Sequence, residues 1–223
     1  MSTECGDLTR LYVSDLGVQP YELIWRRMRQ YTEQRSSESV DQLWLLEHDA
    51  VYTQGVAGKS EHLLDPGNIP VVSTDRGGQV TYHGPGQLIL YPLIDLARLK
   101  LGIRQMIDLL EASVVELLDC YSVKAQLRSD APGVYVGEKK IASLGLRVKK
   151  GRCFHGVSIN ISMDLEPFKG INPCGHEGLE MTRLIDCLPA NRQVSKKKIN
   201  TEIANILARR LGLVPVSNPQ ECL

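Results

Sequence analysis

Short strand-like segments joined by tight turns fill the middle of the chain, and this arrangement constrains the fold most. The segments lie at residues 42–47, 69–73, 87–93, 133–136, 141–148 and 157–161. Turns such as Gly137-Glu138 and Lys150-Gly151 join neighbouring segments, which predicts antiparallel hairpins. A regular βαβ winding is therefore disfavoured.

Three amphipathic helices are predicted around these strands, one near each end and one in the middle. Pro20 opens the first, whose apolar face carries Tyr21, Ile24, Trp25 and Met28. The second repeats apolar residues at three- and four-residue steps over residues 103–118. The third runs from about Ser195 and stops near Gly212. The pattern predicts the α+β (mixed α/β) class.

Length and composition favour one globular domain spanning residues 1–223. The apolar fraction is 43%, the charged fraction is 23%, and no low-complexity linker marks a boundary. Lys and Arg number 26, as do Asp and Glu, so no global field attracts nucleic acid or anionic lipid. No apolar run approaches the roughly 20 residues that span a bilayer. We therefore expect a cytoplasmic protein without nucleic-acid or membrane partners, and its six scattered cysteines to be reduced.

The most unusual cluster is RGGQVTYHGPGQ, at residues 76–87. Glycines let backbone amides approach a ligand, and Arg76 supplies a positive charge. A purely structural turn between two strands is the alternative. The cluster is neither a GxGxxG fingerprint nor a GxxxxGK[ST] phosphate loop, so it does not indicate a nucleotide site.

The second cluster is GEKKIASLGLR, at residues 137–147. Alternation along a strand places Lys139 and Lys140 on opposite faces, so one can enter a site while the other is solvated. By itself, a Lys-Lys pair is usually a solvated surface feature.

The third cluster, FHGVSINISMDLEPFKGINPCG, occupies residues 154–175 and contains Cys174 in an Asn-Pro-Cys-Gly turn. Cys120 and Cys187 instead fall in helix or strand patterns typical of buried structural cysteines. A short helix is predicted at residues 178–186, and amides at its start would favour a thiolate at Cys174.

Two other chemistries remain open for these residues. The pairs Cys153 with His155 and Cys174 with His176 suggest a zinc site, although a one-residue spacing is tighter than usual. Alternatively, a protease or esterase would use Cys174 with a histidine as its base. The candidate bases are His83, His155 and His176.

Taken together, the order and spacing of the three clusters resemble the lipoyl(octanoyl) transferase family, with the core motifs at residues 75–182. The resemblance implies the biotin and lipoate protein ligase fold, a single catalytic domain with a central mixed, largely antiparallel sheet flanked by helices. By motif position it implies a catalytic pair of Cys174, in INPCG, and Lys140, directly before Ile141. It also implies that the following residues bind the acyl substrate: Arg76, Gly77, Gly78, Gln79, Val80, Thr81, Tyr82, His83, Ser143, Leu144, Gly145, Gly156, Val157 and Ser158.

The same resemblance implies partners and cofactors. The donor would be the phosphopantetheine thioester of octanoyl-acyl carrier protein. The acceptors would be lysines of lipoyl domains in 2-oxoacid dehydrogenase E2 subunits and of the glycine cleavage H protein. No ATP and no metal are expected, because a thioester is already activated. Burial of about six methylenes in an apolar slot would contribute on the order of 5 kcal/mol.

Two related functions stay as alternatives. A lipoate or biotin ligase of the same fold would activate a free acid with ATP and needs no cysteine. A non-catalytic module that binds acyl carrier or lipoyl domains would keep the slot without turnover. The presence of Cys174 argues against the first, and its co-occurrence with Lys140 argues against the second.

Overall fold

A computed structural model describes residues 7–128 and 131–218 of the protein. Within these residues the strands are β1 (Arg10–Gln19), β2 (Asp41–His48), β3 (Val51–Gln54), β4 (Val71–Ser73), β5 (Val80–His83), β6 (Gln87–Leu93), β7 (Gln126–Leu127), β8 (Val134–Val136), β9 (Lys139–Lys149), β10 (Arg152–Asn160) and β11 (Val214–Ser217). The helices are α1 (Tyr21–Gln34), α2 (Ile103–Cys120) and α3 (Lys196–Leu211). Short 3₁₀ turns lie at Ser60–His62, Glu166–Gly170, Pro173–Gly175 and Leu184–Cys187.

In the described part of the chain, eight strands form one sheet in the order β11-β1-β2-β6-β10-β9-β8-β7. β1 pairs in parallel with β2 and β11, and the other pairs are antiparallel. A smaller sheet has the order β4-β3-β5. The central sheet is thus mixed and largely antiparallel, which confirms the predicted fold class.

The two faces of the large sheet bury different helices. On one face, α2 and α3 pack against apolar side chains of β2, β6, β9 and β10 in the largest core cluster. On the other face, Ile24 and Met28 of α1 pack on Trp44, Ile89 and Phe154. Burial on both faces explains why β6 is almost continuously apolar from Leu88 to Leu93 rather than alternating.

The three predicted amphipathic helices and the predicted hairpins are found close to their expected positions. Gly212 ends α3 in the left-handed conformation, with φ of 70°, and the two predicted turns join β8 to β9 and β9 to β10. β1, β3, β7 and β11 are strands that the sequence did not indicate. β5 was also missed, because it lies inside the glycine-rich cluster.

Two other predictions, a helix at residues 178–186 and the burial of Cys120 and Cys187, are wrong. Residues 178–183 form no helix, and only the turn Leu184–Cys187 is helical, because Lys140 holds the segment beside β9 in extended form through hydrogen bonds with Glu180 and Thr182. Cys120 is exposed at the end of α2, and Cys187 is half-buried against the largest core cluster, so neither is a fully buried cysteine. Cys5 and Cys222 lie outside the described residues.

Candidate active site

Cys174 occupies a tight turn whose backbone is strongly constrained. Its φ is 57°, a left-handed conformation that residues other than glycine seldom adopt. The turn is closed by a hydrogen bond from the amide of Gly175 to the carbonyl of Asn172, at 2.9 Å, and the amide of Asn172 donates to the carbonyl of His62, at 2.8 Å. Such strain is typical of positions where a side chain must be aimed. The half-buried thiol is therefore presented by the turn rather than by a helix start.

Lys140 brings a buried amine to this thiol. The side chain is only 1% exposed, and its Nζ atom lies 3.0 Å from Cys174 Sγ and 2.7 Å from the carbonyl oxygen of Pro132. The ring of Tyr135 lies below the amine, with its centroid 5.6 Å away. Lys139 points the other way and pairs at the surface with Glu180, at 2.8 Å. The predicted opposite orientation of the two lysines is confirmed.

Arg76 organises the glycine-rich cluster from within. Its guanidinium is buried and donates to the carbonyl oxygens of Thr53, Gly77 and Gln79 as well as to the Thr53 hydroxyl. Four acceptors in fixed directions suit the planar donor fork of arginine. Arg76 therefore determines the path of the loop that forms one wall of the site.

A polar network extends from Arg76 to the strand that carries Lys140. Thr53 contacts His83 Nε2 at 3.3 Å, and His83 Nδ1 lies 2.7 Å from Gln87 Oε1. Gln87 then donates to Asn160, whose amide donates to the carbonyl of Thr182. The backbone amide of Thr182 donates to the Lys140 carbonyl, at 2.9 Å. The two walls of the site are thus linked by buried hydrogen bonds.

A cavity of about 380 Å³ opens beside Cys174, a size within the usual range of small-molecule sites. Nearly all the residues expected to bind the acyl group line it: Arg76, Gly77, Gly78, Gln79, Val80, Thr81, His83, Ser143, Leu144, Gly145, Gly156, Val157 and Ser158. Tyr82 is the exception, because its ring packs in a separate cluster with Tyr52 and Phe168. Tyr82 is therefore the one expected acyl-contact residue that the structure does not bring to this cavity.

Two facing glycines make room for this cavity. Gly145 of β9 lies opposite Gly156 of β10. A Cβ atom on Gly145 would come within 2.9 Å of the Gly77 carbonyl oxygen, and one on Gly156 would meet the backbone of Leu90. Glycine at 145 therefore lets the glycine-rich loop lie directly on the sheet, and glycine at 156 leaves room for β6.

His155 of β10 also lines the cavity, and its partner on β9 is Leu146. Its φ of 59° is left-handed, and its Nε2 atom lies 2.9 Å from Asp75 Oδ1. Burial lowers the pKa of His155. Burial alone would raise the pKa of Asp75, but hydrogen bonds from His155 and Trp25 outweigh it and lower that pKa to about 2. We infer a neutral imidazole beside an ionised carboxylate.

Several lining residues were not predicted as substrate contacts. They are Tyr21, Ile89, Tyr91, Ile103, Ile107, Pro132, Leu146, His155 and His176. Periodicity placed Ile103 and Ile107 on one helix face, but it did not reveal what that face covers. Of these, only His155 and His176 were candidates for chemistry in the sequence, as members of Cys-x-His pairs.

The alternative chemistries find little support in this geometry. In residues 7–128 and 131–218, no three His, Cys, Asp or Glu side chains are grouped so as to hold a metal ion. Cys153 is buried and donates to the Pro92 carbonyl, while burial raises its pKa to about 12. His83 and His155 are held by Gln87 and Asp75. The group in contact with the Cys174 thiol is the Lys140 amine.

None of the helices in the described ranges combines the length and apolar composition needed to cross a membrane. Of the six cysteines, the four in these ranges, at 120, 153, 174 and 187, are free thiols.

Comparisons with known proteins agree with the fold and the motifs. A model of the lipoyl protein ligase A/B catalytic domain matches residues 20–207. An octanoyltransferase of Chromohalobacter salexigens is 55% identical over 212 residues, which cover 95% of each protein. One of Saccharophagus degradans is 54% identical over 208 residues, covering 93% of this chain and 96% of that protein.

Solved structures share the fold at low identity. A crystal structure of lipoate-protein ligase A bound with ATP aligns with a TM-score of 0.71 at 17% identity, covering 94% of this chain and 87% of that one. Biotin protein ligase from Aquifex aeolicus aligns with a TM-score of 0.54 at 14% identity, covering 91% of this chain and 68% of that one. The expected biotin and lipoate ligase fold is confirmed.

Proposed function

The chain belongs to the lipoyl protein ligase A/B catalytic domain family, and we propose that it transfers octanoyl from octanoyl-acyl carrier protein, through a thioester on Cys174, to a lipoyl-domain lysine. Octanoyl transfer for protein lipoylation is the activity of its close relatives, so the protein is an acyltransferase. The acyl carrier donor, the thioester and the lysine acceptor are the parts we propose.

The contact of 3.0 Å between Lys140 Nζ and Cys174 Sγ carries this proposal. A positive amine beside a thiol stabilises the thiolate, which is the nucleophilic form. The cavity next to the pair has room for an acyl chain, and its floor and walls include Ile89, Leu144, Leu146 and Val157.

In the first half-reaction, the Cys174 thiolate attacks the thioester carbonyl of the donor. The tetrahedral intermediate collapses, the bond to the phosphopantetheine sulfur breaks, and the leaving thiolate takes a proton from the Lys140 ammonium. The products are an acyl-enzyme, a free carrier thiol and a neutral Lys140.

In the second half-reaction, the neutral amine of the acceptor lysine attacks the acyl-enzyme. Lys140 accepts the proton that the amine loses, the new amide bond forms, and the Cys174 thiolate leaves. The pair returns to its starting state, so proton and acyl group balance over the cycle. We include in the proposal that neither ATP nor a metal takes part.

The acceptors in this proposal are E2 lipoyl domains and the glycine cleavage H protein, and the setting is the cytoplasm. A lipoate ligase of the same fold is the competing function, because the fold alone does not distinguish the two. If the protein were a lipoate ligase, activity would require free octanoate, ATP and magnesium, and no acyl-cysteine would form.

Mass spectrometry after mixing with octanoyl-acyl carrier protein tests the proposal. Wild-type protein should gain one octanoyl mass on Cys174, with a chelator present and ATP absent. Cys174→Ala should gain none, whereas Cys120→Ala, which removes an exposed thiol on α2, should behave like wild type. An adduct that persists in Cys174→Ala, or transfer that requires ATP and free acid, would overturn the proposal.

A further inference from the structure

Glu111 of α2 is a buried carboxylate close to the catalytic pair. It is 4% exposed, and its Oε1 atom accepts a hydrogen bond from the backbone amide of Gly133, at 3.0 Å. It follows Ile103 and Ile107 at four-residue steps, and both of those line the cavity, so the three share one helix face. Burying a carboxylate is costly, and a core position would ordinarily be apolar.

Glu111 and Lys140 form hydrogen bonds with the two ends of one peptide group. The carbonyl oxygen of Pro132 accepts from Lys140 Nζ, at 2.7 Å, and the next amide, that of Gly133, donates to Glu111. One peptide unit therefore joins the carboxylate to the ammonium. Hydrogen bonds in such a chain polarise one another, so the carboxylate strengthens the carbonyl as an acceptor.

The short segment that holds this peptide is tightly fitted. The phenol of Tyr135 donates to the Ala131 carbonyl, at 2.9 Å. A Cβ atom on Gly133, whose φ is 139°, would lie 2.4 Å from Lys140 Cε and 3.0 Å from its Nζ. The Lys140 side chain thus passes directly along the peptide. A displacement of this segment moves the amine relative to Cys174.

We propose that Glu111 is a positioning residue, which orients the Lys140 amine toward Cys174 through the Pro132–Gly133 peptide group. The inference rests on the proposed role of the Lys140 and Cys174 pair. Burial has the largest effect on the Glu111 carboxyl and raises its pKa, and the negative charge of Asp108 adds to the rise. The Gly133 hydrogen bond and the positive charges of Arg104 and Lys140 lower the pKa in part. Lys140 is thus one of the charges that act on the Glu111 carboxyl.

Iodoacetamide alkylation of Cys174, followed by mass spectrometry across pH, tests the inference without an acyl donor. Glu111→Ala should slow alkylation about tenfold at pH 7, because the amine that stabilises the thiolate is no longer held beside it. Glu111→Gln keeps an acceptor oxygen for Gly133 and should restore part of the rate. Glu116→Ala is the matched control, because Glu116 also lies on α2 but pairs with Arg210 of α3, and it should leave the profile unchanged.

A double-mutant cycle separates positioning from a general loss of stability. In the Lys140→Ala background, Glu111→Ala should have little further effect on alkylation, because its route to the thiol is already removed. A wild-type profile for folded Glu111→Gln and Glu111→Ala, or an undiminished effect without Lys140, would overturn the inference. Failure of the proposed function would appear differently, as wild-type protein that forms no octanoyl adduct.

Discussion

Nζ of Lys140 lies 3.0 Å from Sγ of Cys174, although 34 positions separate the two residues in sequence. Lys140 comes near the start of β9, and Cys174 sits in a turn outside both sheets. The amide of Lys140 donates to the carbonyl of Glu180, and the amide of Thr182 donates back to the Lys140 carbonyl, both at 2.9 Å. This bridge holds the segment that follows Cys174 beside β9, so the pairing is a property of the fold.

The first prediction concerns the two neighbouring lysines. Lys140→Ala should raise the pH at which Cys174 is alkylated and slow both half-reactions, because the thiolate loses its buried positive neighbour. Lys140→Arg should restore part of the alkylation but not the amine step, since a guanidinium does not give up its proton. Alkylation profiles and single-turnover transfer rates measure these effects.

Lys139→Ala is the matched control, because Lys139 is exposed and pairs only at the surface with Glu180. It should leave both measurements close to wild type. If Lys140→Ala matched wild type in alkylation and transfer, the wrong lysine would have been assigned to the pair.

The second prediction concerns acyl chain length. Each methylene removed from octanoyl should lower kcat/KM by about fourfold, since burial of one methylene contributes about 0.8 kcal/mol. Chains longer than octanoyl should lose activity more steeply, because they would overfill a cavity of about 380 Å³ whose lining includes the buried rings of Tyr91 and His155. Competition between acyl-carrier donors of different length measures the profile, and equal rates for acetyl, octanoyl and palmitoyl would remove the slot from the mechanism.

The third prediction concerns the space between the glycine-rich loop and the sheet. Gly145→Ala should lower kcat/KM with octanoyl donor by roughly tenfold or more, because the new methyl group displaces the Gly77 carbonyl and misplaces the acyl chain. Alkylation of Cys174 by a small reagent should be unchanged, since the Lys140 contact is not involved. A Gly145→Ala enzyme with wild-type transfer kinetics would contradict this account of the loop.

The fourth prediction concerns stability in acid. His48 is buried, with Nδ1 near the Gln19 carbonyl and Nε2 near the Tyr91 hydroxyl, and burial lowers its pKa to about 4. In the unfolded chain the His48 imidazole takes up a proton near pH 6.5, whereas the folded protein keeps it neutral down to about pH 4. The contribution of neutral His48 to the free energy of unfolding is therefore fully present above pH 6.5 and is lost as the pH falls toward 4. The shift corresponds to about 3 kcal/mol.

Urea unfolding between pH 4 and pH 7 measures this loss. His48→Gln should reduce the slope of the free energy of unfolding against pH, over this range, by the equivalent of about one bound proton. This reduction is expected whatever the effect of the substitution on stability at pH 7. Burial also lowers the pKa values of His83 and His155, so part of the acid loss should persist in the variant. An unchanged slope would show that His48 is not responsible.

The local sequence pattern was sufficient to predict those helices and turns whose positions depend on neighbouring residues alone. The period of the apolar residues in α2, the left-handed Gly212 after α3, and the turn at Gly137 all lie within a few residues of the predicted positions. The helix predicted at residues 178–186 failed because long-range hydrogen bonds to Lys140 outweigh helix propensity there. β5 was missed because its residues read as a ligand loop, although they also pair with β3.

The sequence by itself determined the motifs, and through their order the family, the thiol and the lysine to be tested. Residue types and spacings carry that information because they are local. Only the tertiary structure decided that Tyr82 turns away from the cavity while His155 and Ile107 line it, and that Glu111 meets Lys140 through a single peptide group. These relationships depend on how α2 and the strands pack, and burial then determines which contacts and charges matter.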